Sequence, residues 1–296
     1  MRKEFLFSVM ILLGALILIS GCGSSNAAPG NVKYNFQTGI GELNLKFLTN
    51  APPEKIYPFS SFKMILDLEN QAGYDLNNGK VRIVGLDEKY FKLDQTEQTF
   101  QNLEGRNMIN PLGGRAQLEF NGEAHQLFSS SEQYVGNYFL QASYDSKMDF
   151  VDTVCLNPNF YEVFDAGCKS NSKKSYTGQG APLAIASLDQ ITSPSSGSGG
   201  EIEFRLTVKN KGIGKVENVT LVKSQLGGEN IICGFVGSKN KPLEEQKSLS
   251  FDDKLQEGVL ICKSALKGGD SYSTTLYLGF TYKYRWEQRQ KLTLVK

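Results

Sequence analysis

From Leu276 to Glu287 the chain alternates without a break, with Leu276, Leu278, Phe280, Tyr282, Tyr284 and Trp286 interleaved by Tyr277, Gly279, Thr281, Lys283, Arg285 and Glu287. A period of two belongs to extended backbone, because successive side chains of a strand point to opposite faces of its sheet. Ile202, Phe204, Leu206 and Val208 alternate with Glu203, Arg205, Thr207 and Lys209 in the same way. One face is predicted to enter a core and the other to stay wet, the pattern of antiparallel sheets and not of doubly covered parallel ones. Turn residues separate such runs at Asn77-Asn78-Gly79, Gly113-Gly114, Gly227-Gly228 and Gly268-Gly269. Only Glu123 to Ser130 reads as a helical turn. The expected fold is all-β, with antiparallel β-sandwiches of immunoglobulin-like type.

A repeat at an offset of 140 organises these strands. Leu43-Leu45 aligns with Leu183-Ile185, Met64-Leu66-Leu68-Asn70 with Phe204-Leu206-Val208-Asn210, and Tyr138-Leu140-Ala142-Tyr144 with Leu278-Phe280-Tyr282-Tyr284. One offset without a shift points to duplication, and predicts two sandwiches, residues 31–156 and 181–296, each folding alone, with a junction at 157–180. The run Ser193 to Gly200 looks like a linker, but the repeat sets it opposite Pro53 to Ser60, inside the second copy between its first two strands.

The stretch Phe204-Arg-Leu-Thr-Val-Lys-Asn-Lys-Gly-Ile-Gly-Lys-Val-Glu-Asn-Val219 resembles the second and third strands of CARDB-like immunoglobulin-like domains of bacterial and archaeal surface proteins, with Asn210 and Gly212 at the turn. The first copy, Phe62 to Gly73, is similar but has an extra residue before its glycine, which leaves its turn free to differ. The resemblance covers some 20 residues per copy. It implies β-sandwich modules used in adhesion, spacing or assembly outside the cell, and a fold does not transfer a chemistry.

The first 22 residues carry the targeting information. Arg2 and Lys3 precede a stretch, Phe5 to Ile19, that is apolar or small apart from Ser8, and Ser20-Gly21-Cys22 follows at once. This is the order of a secretory signal peptide, here residues 1–21, and fifteen apolar residues fall short of the ~20 that a helix needs to span a bilayer. The ending resembles the prokaryotic lipobox, which implies cleavage before Cys22 and a diacylglycerol on its thiol. Two acyl chains suffice for stable anchoring. Residues 22–30 then form a short lipidated tether, and the expected location is extracytoplasmic, on the cell membrane.

Cysteine arithmetic agrees with this. Of five cysteines, a lipidated Cys22 leaves four, which permit three connectivities. Neighbouring placement favours Cys155 with Cys168 and Cys233 with Cys262, in an oxidising compartment. A zinc site has little support, since no CxxC pair exists and His125 is the only histidine. Losing residues 1–21 removes two basic residues and one acidic, so the remaining charges balance. A neutral chain without a Lys/Arg cluster lacks the footprint of nucleic-acid binding.

Catalysis finds no foothold: a triad would have to recruit His125, no G-x-S-x-G is present, and Asp252-Asp253 lacks the ligand alternation of a calcium loop. No cofactor or metal is expected, and the chain is read as a non-enzyme. Three features remain for binding. Phe160, Tyr161 and Phe164 lie between Cys155 and Cys168 and offer a contact surface; Asn218-Val219-Thr220 is the single N-glycosylation sequon; Lys283, Arg285 and Arg289 flank Trp286 and suit an anionic sugar or polymer. The expectation is a lipid-anchored envelope protein that binds, adheres or spaces, its partner an unidentified envelope protein or polymer. An envelope polysaccharide hydrolase or a solute-capturing lipoprotein is the alternative.

Overall fold

Alternation becomes structure at every strand where it was read. Ile202, Phe204, Leu206 and Val208 are fully buried, as are Leu276 and Leu278, while Thr281, Arg285 and Glu287 face solvent. The structure is a computed structural model; it describes residues 35–158, 168, 172–194, 199–237, 242–251, 256–267 and 270–296. The signal peptide 1–21, Cys22 and its tether, Phe160, Tyr161, Phe164, Asp252-Asp253 and Gly268-Gly269 lie outside the described residues.

The first half contributes β1 (Leu43–Phe47), β2 (Ser61–Asn70), β3 (Asn77–Val84), β4 (Phe91–Leu93), β5 (Glu97–Phe100), β6 (Arg115–Ala124) and β7 (Gln133–Leu156). The second contributes β8 (Lys173–Ser175), β9 (Leu183–Pro194), β10 (Gly199–Asn210), β11 (Lys215–Leu226), β12 (Glu229–Asn230), β13 (Ile232–Phe235), β14 (Ser248–Leu249), β15 (Glu257–Lys267) and β16 (Tyr272–Val295). All strand pairs are antiparallel. One sheet of each half is private: β1-β2-β6-β4 in the first and β13-β15-β10-β9-β8 in the second. The third sheet, β12-β11-β16-β7-β3-β5, is shared by both.

The repeat is visible in the register. Leu45 faces Leu68 across β1 and β2, and Ile185 faces Val208 across β9 and β10, the same pairing displaced by 140. β7 and β16 then pair along their whole length, Gln133 with Val295 through to Leu156 with Tyr272. Where this ladder meets its own repeat, Tyr144 stands opposite Tyr284, two residues 140 apart. A local two-fold axis therefore passes through this tyrosine pair, and the halves meet as the protomers of an isologous dimer do.

The two sandwiches that the repeat predicts therefore share one sheet. An immunoglobulin-like sandwich sets a four-strand sheet against one that ends in two adjacent late strands. Here the place beside β7 is taken by β16 of the other half, and the place beside β16 by β7. Separation would strip 24 residues of ladder from each and bare two long edges, which template aggregation. Asn35–Lys296 accordingly forms one compact unit, whose core cluster runs from Met64, Leu66 and Phe120 through Tyr144 and Tyr284 to Phe204, Leu206 and Leu260.

Two local expectations also change. Asn77-Asn78-Gly79 is not a turn but the start of β3, where the register against β7 slips. Glu123 and Ala124 end β6, so Glu123 to Ser130 is not helical. Gly227 and Gly228, with φ of 60° and 87°, make the β11–β12 hairpin that their type predicts. The Ser193 to Gly200 run spans the end of β9 and the start of β10, which pair antiparallel, so it lies within the second half.

Candidate functional site: a groove at the junction of the halves

The junction is built around two asparagines that the repeat relates. The Asn70 side chain is fully buried; its Oδ1 accepts the Ala72 N–H at 2.9 Å and its Nδ2 reaches the carbonyls of Tyr74 (2.9 Å), Leu103 (2.9 Å) and Glu104 (3.1 Å). Asn210 repeats this 140 residues later: Oδ1 accepts the Gly212 N–H at 2.9 Å, and Nδ2 donates to Gly214 O at 2.7 Å and Gln256 Oε1 at 3.0 Å. The two turns are thus the same Asx-type closure, and the extra residue before Gly73 does not alter it.

A second set of bonds joins the halves. The Tyr284 hydroxyl donates to Glu42 Oε2 at 2.6 Å and accepts the Gly214 N–H at 2.6 Å, while Glu42 Oε1 accepts the Ile213 N–H at 3.1 Å. Its symmetry mate Tyr144 meets no such carboxylate, since Pro182 occupies the place of Glu42. The Tyr144 hydroxyl is buried without a partner in hydrogen-bonding geometry, with only a marginal approach to the Leu43 backbone. Burial pushes Tyr74, Tyr144, Tyr282 and Tyr284 well above the usual tyrosine pKa. Tyr277 is pushed up to about 12 by burial and by its 2.8 Å bond to Asp149.

Outside this junction the shared sheet opens into a groove. Asn78 and Asn218, again 140 apart, carry φ of 51° and 53°, and the ladder slips at each. Asparagine tolerates this left-handed region better than other residues with a side chain, and a bulge of this kind bends a strand and re-aims its side chains. Between the bulges lies a groove of about 720 Å³ lined by Asn78, Asp145, Ser146, Lys147, Asn218 and Lys283, among others. Asn78 Nδ2 donates to Asp145 Oδ2 at 2.9 Å. A smaller hollow of about 290 Å³ adjoins it, lined by Lys80, Arg82, Gln141, Ser143, Lys283 and Arg285. Arg82 pairs with Glu97 at 3.1 Å and Arg285 with Glu217 at 3.3 Å, both exposed, so these cations are largely balanced and the pairs add little stability. Amides, hydroxyls, ammonium and carboxylate groups side by side can hold a polar, hydroxyl- or amide-bearing ligand by hydrogen bonds.

The disulfides are Cys155–Cys168 and Cys233–Cys262, with Cα separations of 5.8 and 4.0 Å. The second joins direct cross-strand partners of β13 and β15. Bonds of this kind mark maturation outside the reducing cytosol. Asn218 is exposed on its bulge, so the sequon and the groove share a residue. Lys283 and Arg285 reach the groove walls, and Arg289 lies on the same outer face of β16. His125 sits far from them, past the end of β6, beside exposed Phe59 in another hollow. Nearby, Tyr90 stacks on Tyr134 with centroids 3.8 Å apart and meets the edge of Phe128. Among the described residues no group of three or more His, Cys, Asp or Glu could hold a metal ion, and no helix is long and apolar enough to cross a membrane. The groove was hidden from sequence reasoning because it depends on bulges; the one available signal was Asn-Asn-Gly recurring as Glu-Asn-Val within an alternating run.

Fold and site together define an all-β, disulfide-bonded antiparallel sandwich protein with a polar groove where its repeats join. No family model and no curated protein matches the chain. Among solved structures it has a slight likeness to Escherichia coli alpha-2-macroglobulin activated by porcine elastase: 14% identity and a TM-score of 0.15, over 85% of this chain and 22% of that one. A collagen adhesin from S. aureus gives 9% identity and a TM-score of 0.14, over 88% of this chain and 93% of that one. Likeness at this level carries no argument about fold or function.

Proposed function

We propose that this protein is an extracytoplasmic lipoprotein, tethered through diacylglycerol on Cys22, that binds or spaces components of the cell envelope and carries no catalytic activity. The cysteine inventory supports the reading most directly. Cys155, Cys168, Cys233 and Cys262 are all consumed in disulfides, which leaves Cys22 as the one thiol available, directly after the apolar run and small residues. The CARDB-like resemblance of Phe62–Gly73 and Phe204–Val219 fits a binding or spacing role, and the polar groove between Asn78 and Asn218 is the surface that a partner would use. Phe160, Tyr161 and Phe164 form a second candidate surface, and Asn218 a candidate glycan site.

Labelled fatty acid fed to cells tests the tether. The protein is expected to take up label and sediment with membranes, and Cys22→Ser to lose both label and processing. Unlabelled protein with an intact Met1 would refute the reading. For the binding role, a photo-crosslinker placed at Lys147, in the groove, is expected to yield an envelope adduct that one at Val151 does not. Equal yields from the two sites would remove the groove from the proposal.

A further inference from the structure

We infer that the loop between β5 and β6 is a second membrane contact, inserting Met108, Ile109 and Leu112 into the interface of the bilayer that holds Cys22; the inference rests on the tether proposed above. These three side chains are 69%, 95% and 63% exposed, within five residues of one another. Single exposed apolar residues are ordinary, but a local concentration of this kind marks a contact surface.

The loop is built to lose water. Asn107 folds into it: its Oδ1 accepts the N–H groups of Ile109 and Asn110, each at 2.8 Å, and its Nδ2 donates to Glu104 Oε1 at 2.7 Å and to the Gly105 carbonyl at 3.2 Å. The Asn110 carbonyl accepts from the N–H groups of Asn107 and Gly113, Arg106 Nε donates to the Pro111 carbonyl at 3.0 Å, and position 111 is a proline with no N–H to satisfy. With these polar groups bonded inward and the apolar side chains outward, the tip enters an apolar medium without stranding those donors and acceptors. Its conformation is already fixed, so little ordering remains to oppose docking.

The bilayer is selected as occupant by where the chain leading from Cys22 arrives. The Arg106 guanidinium lies over the Phe36 ring, 5.5 Å from its centroid. The segment around Phe36 is itself pinned, with the Gly180 N–H donating to Gly39 O at 2.8 Å and the Gln71 N–H to Glu42 O at 3.0 Å. Thirteen residues from Cys22 to Asn35 reach at most ~45 Å when extended. The chain leading from Cys22 therefore enters the body beside the root of this loop, at Phe36. Interfacial insertion of a few side chains would orient the body on its tether, whereas the lipid alone leaves it free to swivel.

Depth-dependent fluorescence quenching tests this. Full-length protein extracted with its lipid is reconstituted into phosphatidylethanolamine–phosphatidylglycerol vesicles with brominated acyl chains, in a Trp286→Phe background that removes the only tryptophan. Ile109→Trp places a reporter on the tip; Phe128→Trp places one at another exposed site, past the other end of β6. The Ile109→Trp variant is expected to emit at shorter wavelength and to be quenched by bromine, and the Phe128→Trp variant to show neither change. Vesicle-bound, lipid-bearing protein with an unquenched Ile109→Trp reporter would overturn the inference and leave the tether standing; a blue shift without quenching would do the same in favour of a protein partner such as a second copy. Quenching of both reporters would overturn the loop as the specific contact. Absence of lipid on Cys22 together with no vesicle binding would overturn the tether and the inference together.

Discussion

Replacing Asn70 with alanine should be among the most damaging single changes in this protein, and more damaging than the same change at its repeat mate Asn210. At Asn70 two amide hydrogens are shared among three backbone carbonyls and the side-chain oxygen accepts a fourth contact, at a site with no exposure. A net hydrogen bond is worth ~1 kcal/mol, and a buried carbonyl or N–H left without a partner costs ~1–3 kcal/mol. The carbonyls of Leu103 and Glu104 keep a second donor, the N–H groups of Leu76 at 3.0 Å and Gly114 at 2.8 Å, so the stranded groups are the Tyr74 carbonyl and the Ala72 N–H, in backbone so closely packed that a Cβ on Gly105 would meet Tyr74 at 2.6 Å. The expected loss for Asn70→Ala is ~3–5 kcal/mol. Asn210 is 9% exposed and one of its partners is the Gln256 side chain, which can rotate to solvent; Asn210→Ala should cost ~2–3 kcal/mol. Urea unfolding with disulfides intact measures both, provided that the denaturant slope is unchanged. Asn70→Asp, which keeps the acceptor but turns a carboxylate toward three carbonyls, should be no better than alanine. A loss below ~1 kcal/mol for Asn70→Ala, or an equal loss at Asn210, would refute the reasoning.

The tyrosines on the local two-fold axis give an unequal pair: Tyr284→Phe, which strands the Gly214 N–H and removes a bond to Glu42, should cost ~1.5–3 kcal/mol, whereas Tyr144→Phe should be close to neutral because its hydroxyl has no bond to lose. Equal costs in thermal unfolding would contradict this. On the chain-entropy relation, opening Cys233–Cys262, with a sequence separation of 29, should cost ~3.5 kcal/mol, and opening Cys155–Cys168, with a separation of 13, ~3 kcal/mol; paired Cys→Ala variants test the order. Stability should fall in alkali. Tyr277 keeps its proton to about pH 12 in the folded protein but titrates near 10 when unfolded, so its contribution is complete below pH 10 and lost between pH 10 and 12. Tyr277→Phe should flatten that part of the profile, and an unchanged slope would remove the assignment.

How far the sequence could be read depended on the range of the interactions involved. Strand faces were legible because alternation is local: Ile202 to Val208 and Leu276 to Tyr284 bury the side chains that the period of two assigns to the core. The disulfide pairs were legible from neighbouring placement, and the duplication from one unbroken offset. The partner of β7 was not. Alternation says which face of Tyr138 to Tyr144 is buried but nothing about which strand bonds its edge, and that edge belongs to the other half. The groove failed to announce itself for a related reason. Asn77-Asn78-Gly79 has turn composition, and only pairing across to β7 makes it a bulge within a strand. The apolar tip Met108 to Leu112 has no period at all, and its exposure follows from Asn107 turning inward.

The junction, the groove and the placement of the tether all require that the two halves form one body around β7 and β16. Differential scanning calorimetry tests this most directly. One transition is predicted, with a calorimetric enthalpy of ~180 kcal/mol near 60 °C for Asn35–Lys296 and an equal van't Hoff enthalpy. Two resolved transitions, or a van't Hoff enthalpy near half the calorimetric value, would mean that the halves unfold independently and would contradict the shared sheet.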